Sequence, residues 1–301
     1  MRFLITSDIH VTETSYYRLK ATKILINKLS VLGKKLNIDS LVVCGDLFHT
    51  SRPCSIDTIL MFGKLFKQFE NVFLIVGNHD TFERGTTKTS LLDIFSLLNN
   101  VTIVYDTFVF RDKYLFVSYY SNFNSTIASG YKFIFSHKDV FEFNRFCDED
   151  FGISVKDYPP NSIVFNGHIH SPQIKEYENG LKYIQTGSPY PISINDSNQN
   201  RFCYLLNISS ENINFKAIEL NIGYFKNNPI KEGVEYELEF PYVKSEKSVA
   251  DVVKFDVDSI KNLDVDLFSI PEMMSLDSRL SKMSTKIMKS IQKTKISSSV
   301  F

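Results

Sequence analysis

The sequence has no excess of charge of either sign: 34 lysines and arginines stand against 34 aspartates and glutamates in 301 residues. Contact with nucleic acid must therefore come from a local patch, because the chain as a whole offers no basic surplus. Long hydrophobic runs are missing too. The longest, such as 40–44 and 72–76, are strand-sized, far short of the roughly 20 residues of a membrane span. Asp8 and His10 break the first apolar stretch almost at once, so no secretory leader and no membrane association are expected. Cysteine is sparse. Cys44, Cys54, Cys147 and Cys203 form no CxxC pair, which argues against a thiolate metal site and a disulfide framework. Cys44 and Cys203 sit in apolar runs and are expected to be buried free thiols in a reducing, cytoplasmic setting. Twelve glycines and nine prolines are too few for a low-complexity or collagen-like chain.

What is present is 43% hydrophobic residues, enough for a sizeable core in one large domain or two unequal ones. Lysine outnumbers arginine 26 to 8, and asparagine and phenylalanine are abundant, the bias of an AT-rich coding genome such as a phage. The first hundred residues alternate apolar runs at 2–6, 40–44 and 72–76 with helical spacing. Leu19, Ala21, Ile24, Leu25, Lys28, Leu29, Leu32 and Leu36 predict one helix, Ile56, Ile59, Leu60, Leu65, Phe66 and Phe69 a second, and 91–98 a third. This βαβα order predicts an α/β layered domain whose strands are covered on both faces. From Val101 the chain turns strand-rich, at 101–104, 113–119, 132–136, 162–166, 182–185, 202–208 and 214–220. A second sheet packed on the first is the economical reading, giving a layered β-sandwich flanked by helices. A boundary near 224–229 suggests a domain of 1–222, a small domain of 223–268 with a strand at 234–240, and a terminal helical segment of 269–301.

The six histidines all precede residue 171, and five lie in loops that follow an apolar strand. Asp8-Ile9-His10 follows the first run, Gly45-Asp46 the second and Gly77-Asn78-His79-Asp80 the third; His137 follows 133–136, and Gly167-His168-Ile169-His170 follows 163–166. Ligands of α/β sheets bind at the carboxyl ends of the strands, so five strands would bring polar tips to one rim. Two carboxylates, one amide oxygen and four imidazoles make seven donors. One shared carboxylate would give four bonds to each of two ions. A nitrogen and oxygen set without thiolate suits Mn²⁺, iron or Zn²⁺, and two ions about 3.5–4 Å apart can activate water and clamp a phosphate oxygen. Glycines before Asp46, Asn78 and His168 permit a sharp exit from each strand.

The ordered set DxH, GDLF, GNHD, H and GHIH resembles the calcineurin-like metallophosphoesterase superfamily. Within it, the stretches GDLFHTSRP and GHIHSPQ are similar to the SbcD-type DNA repair nucleases, whose eukaryotic and archaeal relatives are the Mre nucleases. The segment from Tyr183 to Pro191, with Arg201-Phe202-Cys203-Tyr204, is similar to phage members of that group, and the resemblance covers about residues 1–220. It implies that Asp8, His10, Asp46 and His170 hold one ion, that Asp46, Asn78, His137 and His168 hold the other, and that both ions are Mn²⁺. It also implies that His79 acts on the scissile phosphate and the leaving oxygen, with Asp80 orienting it. His49 is read as an outer or DNA-facing residue, with a merely structural role as the alternative, and Arg52 and Arg84 as either contacts to DNA phosphates or solvated loop arginines.

Near the end of the chain, Met273, Leu276, Leu280, Met283, Ile287 and Ile291 form an amphipathic stripe among six basic residues. Three uses stay open: docking on the chain's own domain, nonspecific DNA contact, or binding a partner. The resemblance implies the last, an SbcC-type ABC ATPase, within a complex that contains a homodimer. The leading expectation is an Mn-dependent exonuclease and endonuclease acting in DNA repair, recombination or replication. The alternatives are a small-molecule phosphodiesterase or phosphatase, and a non-catalytic scaffold of the same fold.

Overall fold

A computed structural model describes residues 1–240 apart from 51–53, 82–88, 145–146, 148–149, 194–195, 197–198, 211 and 226–234. The expected stripe Met273–Ile291, with Arg52 and Arg84, therefore lies outside the described residues.

The three leading apolar runs become β1 (Arg2–Thr6), β2 (Ser40–Val43) and β3 (Asn71–Ile75). Two helices intervene, α1 (Tyr16–Lys35) and α2 (Ile56–Phe66). Each begins at a serine: Ser15 accepts from the amide of Arg18 and Ser55 from that of Thr58, which satisfies one of the orphan donors of a first helical turn. The buried face of α2 runs through Thr58, Phe62, Leu65 and Phe66, while Ile56 and Leu60 of the apolar spacing are exposed. The expected third helix is a tighter 3₁₀ segment, Leu91–Leu97.

A short parallel pair, Tyr224–Phe225 with Glu239–Phe240, stands outside the two large sheets, whose other strands among the described residues are β4 (Val101–Val104), β5 (Thr107–Phe110), β6 (Tyr114–Val117), β7 (Phe133–Ser136), β8 (Ile163–Asn166), β9 (Gln173–Glu176), β10 (Lys182–Gln185), β11 (Phe202–Ile208) and β12 (Ile213–Glu219). They make two six-stranded sheets, ordered β12-β11-β1-β2-β3-β4 and β5-β6-β7-β8-β10-β9. The layered sandwich expected from the sequence is present, with one correction. Three strands assigned above to the second sheet, β4, β11 and β12, extend the first. β11 pairs antiparallel with β1 and β4 parallel with β3. Strand-likeness reports burial and not the partner, so pairing across two hundred residues is not visible in a run of apolar letters.

Side chains alternate across the sheets as strand geometry requires. In β1, Phe3 and Ile5 enter the layer between the sheets, and Leu4 enters the layer beneath α1 and α2. The middle layer is aromatic. Phe73, Phe116, Phe135 and Phe165 form a column with ring centroids 4.3, 4.9 and 5.8 Å apart, in the offset arrangement aromatic quadrupoles favour. The outer face of the second sheet buries Val117, Ile134, Val164 and Tyr183 under Phe123 and Tyr158. Cys44 and Cys203 are buried free thiols, as expected. No helix among the described residues is long and apolar enough to cross a membrane.

The larger compact unit runs from Met1 to Lys244. Leu238 packs into the layer beneath α1, and Lys28 pairs with Glu237. The described part of 223–268 thus rests on this unit, and the rest of that segment lies outside the described residues.

Candidate metal centre

β1, β2 and β3 run parallel in one sheet, β7 and β8 in the other. Their carboxyl ends deliver all seven sequence-predicted donors to one place. His10 Nε2 lies 3.0 Å from His170 Nε2 and 3.5 Å from Asp46 Oδ2. Asp8 closes this group, with His10 and His170. On the other side of Asp46, His137 Nε2 lies 3.4 Å from the same Oδ2. Asn78 Oδ1 faces His137 Nε2 at 3.4 Å and His168 Nδ1 at 3.2 Å. Two clusters therefore share Asp46, and each draws on both sheets.

The backbone is built for this convergence. His168 N–H donates to Asp8 Oδ1 across the sheets, and His79 N–H donates to Asp46 Oδ1. His137 Nδ1 meets the Cys44 carbonyl at 2.6 Å, so Nδ1 carries the proton and Nε2 is left for the site. Asp8, His10, Asp46 and His168 have φ of 48°, 46°, 51° and 76°. Left-handed conformations at non-glycine residues cost about 1–3 kcal/mol, and here they gather at the donors. Gly45 holds φ 86°, and a Cβ there would lie 2.1 Å from His137 Nδ1. Gly45→Ala is expected to lose about 1–3 kcal/mol to overpacking and about 1–2 kcal/mol more to the left-handed backbone. Gly63→Ala, within α2 and with open space around it, is expected to gain about 0.5–1 kcal/mol. Thermal melting of the two variants checks this pair.

Electrostatics follow from burial. Burial would raise the Asp46 carboxyl, but His137, His10 and His79 outweigh it and hold it well below the carboxylate range. Burial opposes charge on His137, yet Asp46 and Asp8 push it up to about 9. Burial drives His10 well below its ordinary value and raises Asp8. The enclosed carboxylates thus demand positive charge, which divalent cations supply. Donor atoms 3.0–3.5 Å apart are also spaced like neighbouring corners of a shell with bonds of about 2.0–2.2 Å. The donor set fits a pair of ions.

His79 stands just outside the seven. Its Nδ1 meets the carbonyl of His49 at 2.9 Å, and its ring stacks on the His49 ring at 5.8 Å. One sequence expectation fails here. Asp80 does not orient His79: its fully buried carboxylate accepts from the amides of Phe48 and Gly77, both at 3.0 Å. The turn at Gly77 separates the two neighbours: Asp80 is fully buried and braces the two loops, while His79 is half-buried against the rings of His10 and His49. Burial and then Asp46 push Asp80 up to about 7. His49 Nδ1 lies 3.4 Å from His10 Nδ1; burial, then Arg18, lowers His49 to about 4.

Two outer carboxylates escaped the sequence reading. Asp139 Oδ2 is 3.5 Å from His168 Nε2, and Asp196 Oδ2 is 3.6 Å from His170 Nδ1. Asp139 could have been found, because His137-Lys138-Asp139 repeats the one-residue spacing of Asp8-Ile9-His10. Asp196 lies in a polar loop far along the chain and leaves no such trace.

A sequence profile described as "Calcineurin-like phosphoesterase" matches residues 1–172. The DNA double-strand break repair protein Mre11 of Archaeoglobus fulgidus is 32% identical over 110 residues, which are 33% of this chain and 24% of that protein. The chain thus matches about a quarter of the length of that relative. Among solved structures, a dimetal phosphatase from Danio rerio is similar at 10% identity and a TM-score of 0.48, over 73% of this chain and 96% of that one. The phosphoesterase YfcE from E. coli follows at 15% and 0.39, over 69% and 88%. A single mutant of Vps29 from Entamoeba histolytica gives 15% and 0.36, over 73% and 99%.

Proposed function

This chain belongs to the calcineurin-like phosphoesterase family, and from that premise we propose that it is a two-metal DNA nuclease that hydrolyses phosphodiesters at duplex ends and in single strands or hairpins. The observation that carries the reading is the convergence of seven donors on two clusters that share Asp46, with His79 beside them. Asp8, His10, Asp46 and His170 would hold one ion, and Asp46, Asn78, His137 and His168 the other. Bound there, divalent ions neutralise phosphate charge and acidify water. The choice of DNA over a small phosphodiester is supported by the partial likeness to an archaeal break-repair protein.

The remaining chemistry belongs to the side chains. A carbonyl can only accept, so the Nδ1 that meets the His49 carbonyl carries a proton, and Nε2 is the nitrogen outside that contact. In the role of general acid, His79 would donate through Nε2 to the oxygen that leaves phosphorus. Water would supply the new P–O bond and release a proton to solvent, the old P–O bond would break, and the proton that His79 gives to the departing alkoxide would be regained from solvent. His49 fixes this ring by its backbone carbonyl and by stacking. Arg52 and Arg84, just beyond two of the metal motifs, are assigned to DNA phosphates.

The test is a labelled duplex and a generic phosphodiester reporter, incubated with metal-free protein and added ions. Mn²⁺ is expected to restore progressive shortening of the duplex, and Mg²⁺ to do so poorly, because four imidazoles favour a transition metal over an ion that prefers oxygen and water. Cleavage of the reporter alone would assign the chain to small-molecule hydrolysis, and inactivity on both would make it a scaffold. Robust cleavage in Mg²⁺ alone would refute the metal assignment.

The same reading makes this chain the nuclease subunit of an SbcCD-like complex, encoded by a phage and acting in the host cytoplasm as a homodimer. Met273, Leu276, Leu280, Met283, Ile287 and Ile291 would anchor it to an SbcC-type ABC ATPase. Deleting 272–301 is expected to abolish co-purification with that ATPase while basal cleavage persists. A large fall in melting temperature with binding retained would reject the partner role.

A further inference from the structure

The two histidines of the Gly167–His170 turn sit one residue apart, yet they present different nitrogens. His168 turns Nδ1 toward Asn78 Oδ1, at 3.2 Å, and Nε2 toward Asp139. His170 turns Nε2 toward His10 Nε2, at 3.0 Å, and Nδ1 toward Asp196. The left-handed backbone of His168, φ 76°, breaks the regular alternation and lets the two rings approach from different sides.

Both outer carboxylates are fixed from behind. Asp139 is buried; its Oδ1 accepts from Asn144 Nδ2 at 2.9 Å, and its backbone carbonyl accepts from the amide of Ile153. Asp196 Oδ2 also accepts from the amides of Ser193 and Ile192, at 3.0 and 3.3 Å. Arg201 then ties this carboxylate's own residue to its target. One guanidinium nitrogen donates to the carbonyl of His170 and to Ser188 Oγ, and the other to the carbonyl of Asp196. Arg201 is itself buried, so the arrangement is a closed strap and not a chance surface pair.

We propose that Asp139 and Asp196 are positioning residues, each holding the proton on the far nitrogen of one histidine so that the near nitrogen is a free donor. Asp139 sets His168 to bind through Nδ1, and Asp196 sets His170 to bind through Nε2. The inference rests on the two-ion reading above and adds to it a separate control for each ion. An imidazole with one N–H can donate to a carboxylate on one side only while its other nitrogen offers a lone pair. Outer carboxylates of this kind typically govern metal affinity by about 10–100-fold.

Stepwise Mn²⁺ binding to the metal-free full-length protein, followed by calorimetry and by the electron paramagnetic resonance of the coupled ion pair, tests it. Asp196→Asn is expected to weaken one ion about 10–100-fold, leave the other at its wild-type affinity and replace the coupled signal by that of a single ion at limiting metal. Asp139→Asn is expected to do the same to the other ion. In a His168→Ala background, Asp196→Asn still weakens the remaining ion and Asp139→Asn does not. The unaffected ion reports an intact fold within each variant. Equal loss of both ions, weakening of the same ion by both variants, or no change in either overturns the proposal. A wild type that binds fewer than two ions overturns the two-ion reading and this inference together; two ions in the wild type with unchanged variants overturn the inference alone.

Discussion

His79→Ala is expected to keep both ions and lose phosphodiester cleavage by about 10²–10⁴-fold, the range for removal of a general acid. The reason is positional. The seven donors close two clusters without His79, whose Nδ1 is taken by the His49 carbonyl. His79 reaches Asp46 through its backbone amide, which alanine retains. The imidazole is therefore dispensable for the donor set and not for the leaving oxygen. Metal analysis of the purified variant beside its turnover decides the matter. His10, His49 and His79 also lie close enough to hold an ion, so loss of metal from His79→Ala would make it a ligand and reject its assignment as the acid.

Asp46→Ala is expected to be the most damaging single change at the centre. Its Oδ2 serves His10 and His137 at 3.5 and 3.4 Å, and its Oδ1 accepts from the amide of His79. Removing it takes a donor from both clusters and leaves the part-buried N–H of His79 without its acceptor. Both ions and all turnover are expected to go. His10→Ala, by contrast, removes a donor from one cluster and is expected to spare the second ion. Equal metal content in the two variants would remove the case for Asp46 as the bridge. Asp46→Asn separates the two losses, because its side-chain oxygen can still accept from His79 while the charge is gone.

The site was more legible in the sequence than the sheets were. Donor residues announce themselves because chemistry demands particular side chains at strand ends, and Gly45, Gly77 and Gly167 mark where the backbone crowds: a Cβ at any of the three would lie about 2 Å from a neighbouring atom. Pairing leaves no such mark. The exposed strand Gln173–Glu176 carries almost no apolar signal, and Phe202–Ile208 looks the same whether it joins one sheet or the other. Asp80 shows the limit of motif reading, since its neighbour in sequence is not its neighbour in space. Asp196 shows another: the contact with His170 is made by folding alone, across a loop with no pattern.

The order of strands has a consequence for how the chain is made. The second sheet is one unbroken stretch, β5 to β10, inserted between β4 and β11 of the first. β1 is an inner strand, yet Arg2 pairs with Asn207 and the terminal ammonium of Met1 donates to the carbonyl of Ile208. A nascent chain emerging from the ribosome therefore has every donor residue, through His170, before β11 exists to cover one side of β1. For that interval an apolar strand shows a bare row of amides and carbonyls, the condition that invites pairing with a foreign strand. The hazardous moment in the life of this protein is the wait for residues 202–208, and it falls after the centre itself is complete in sequence.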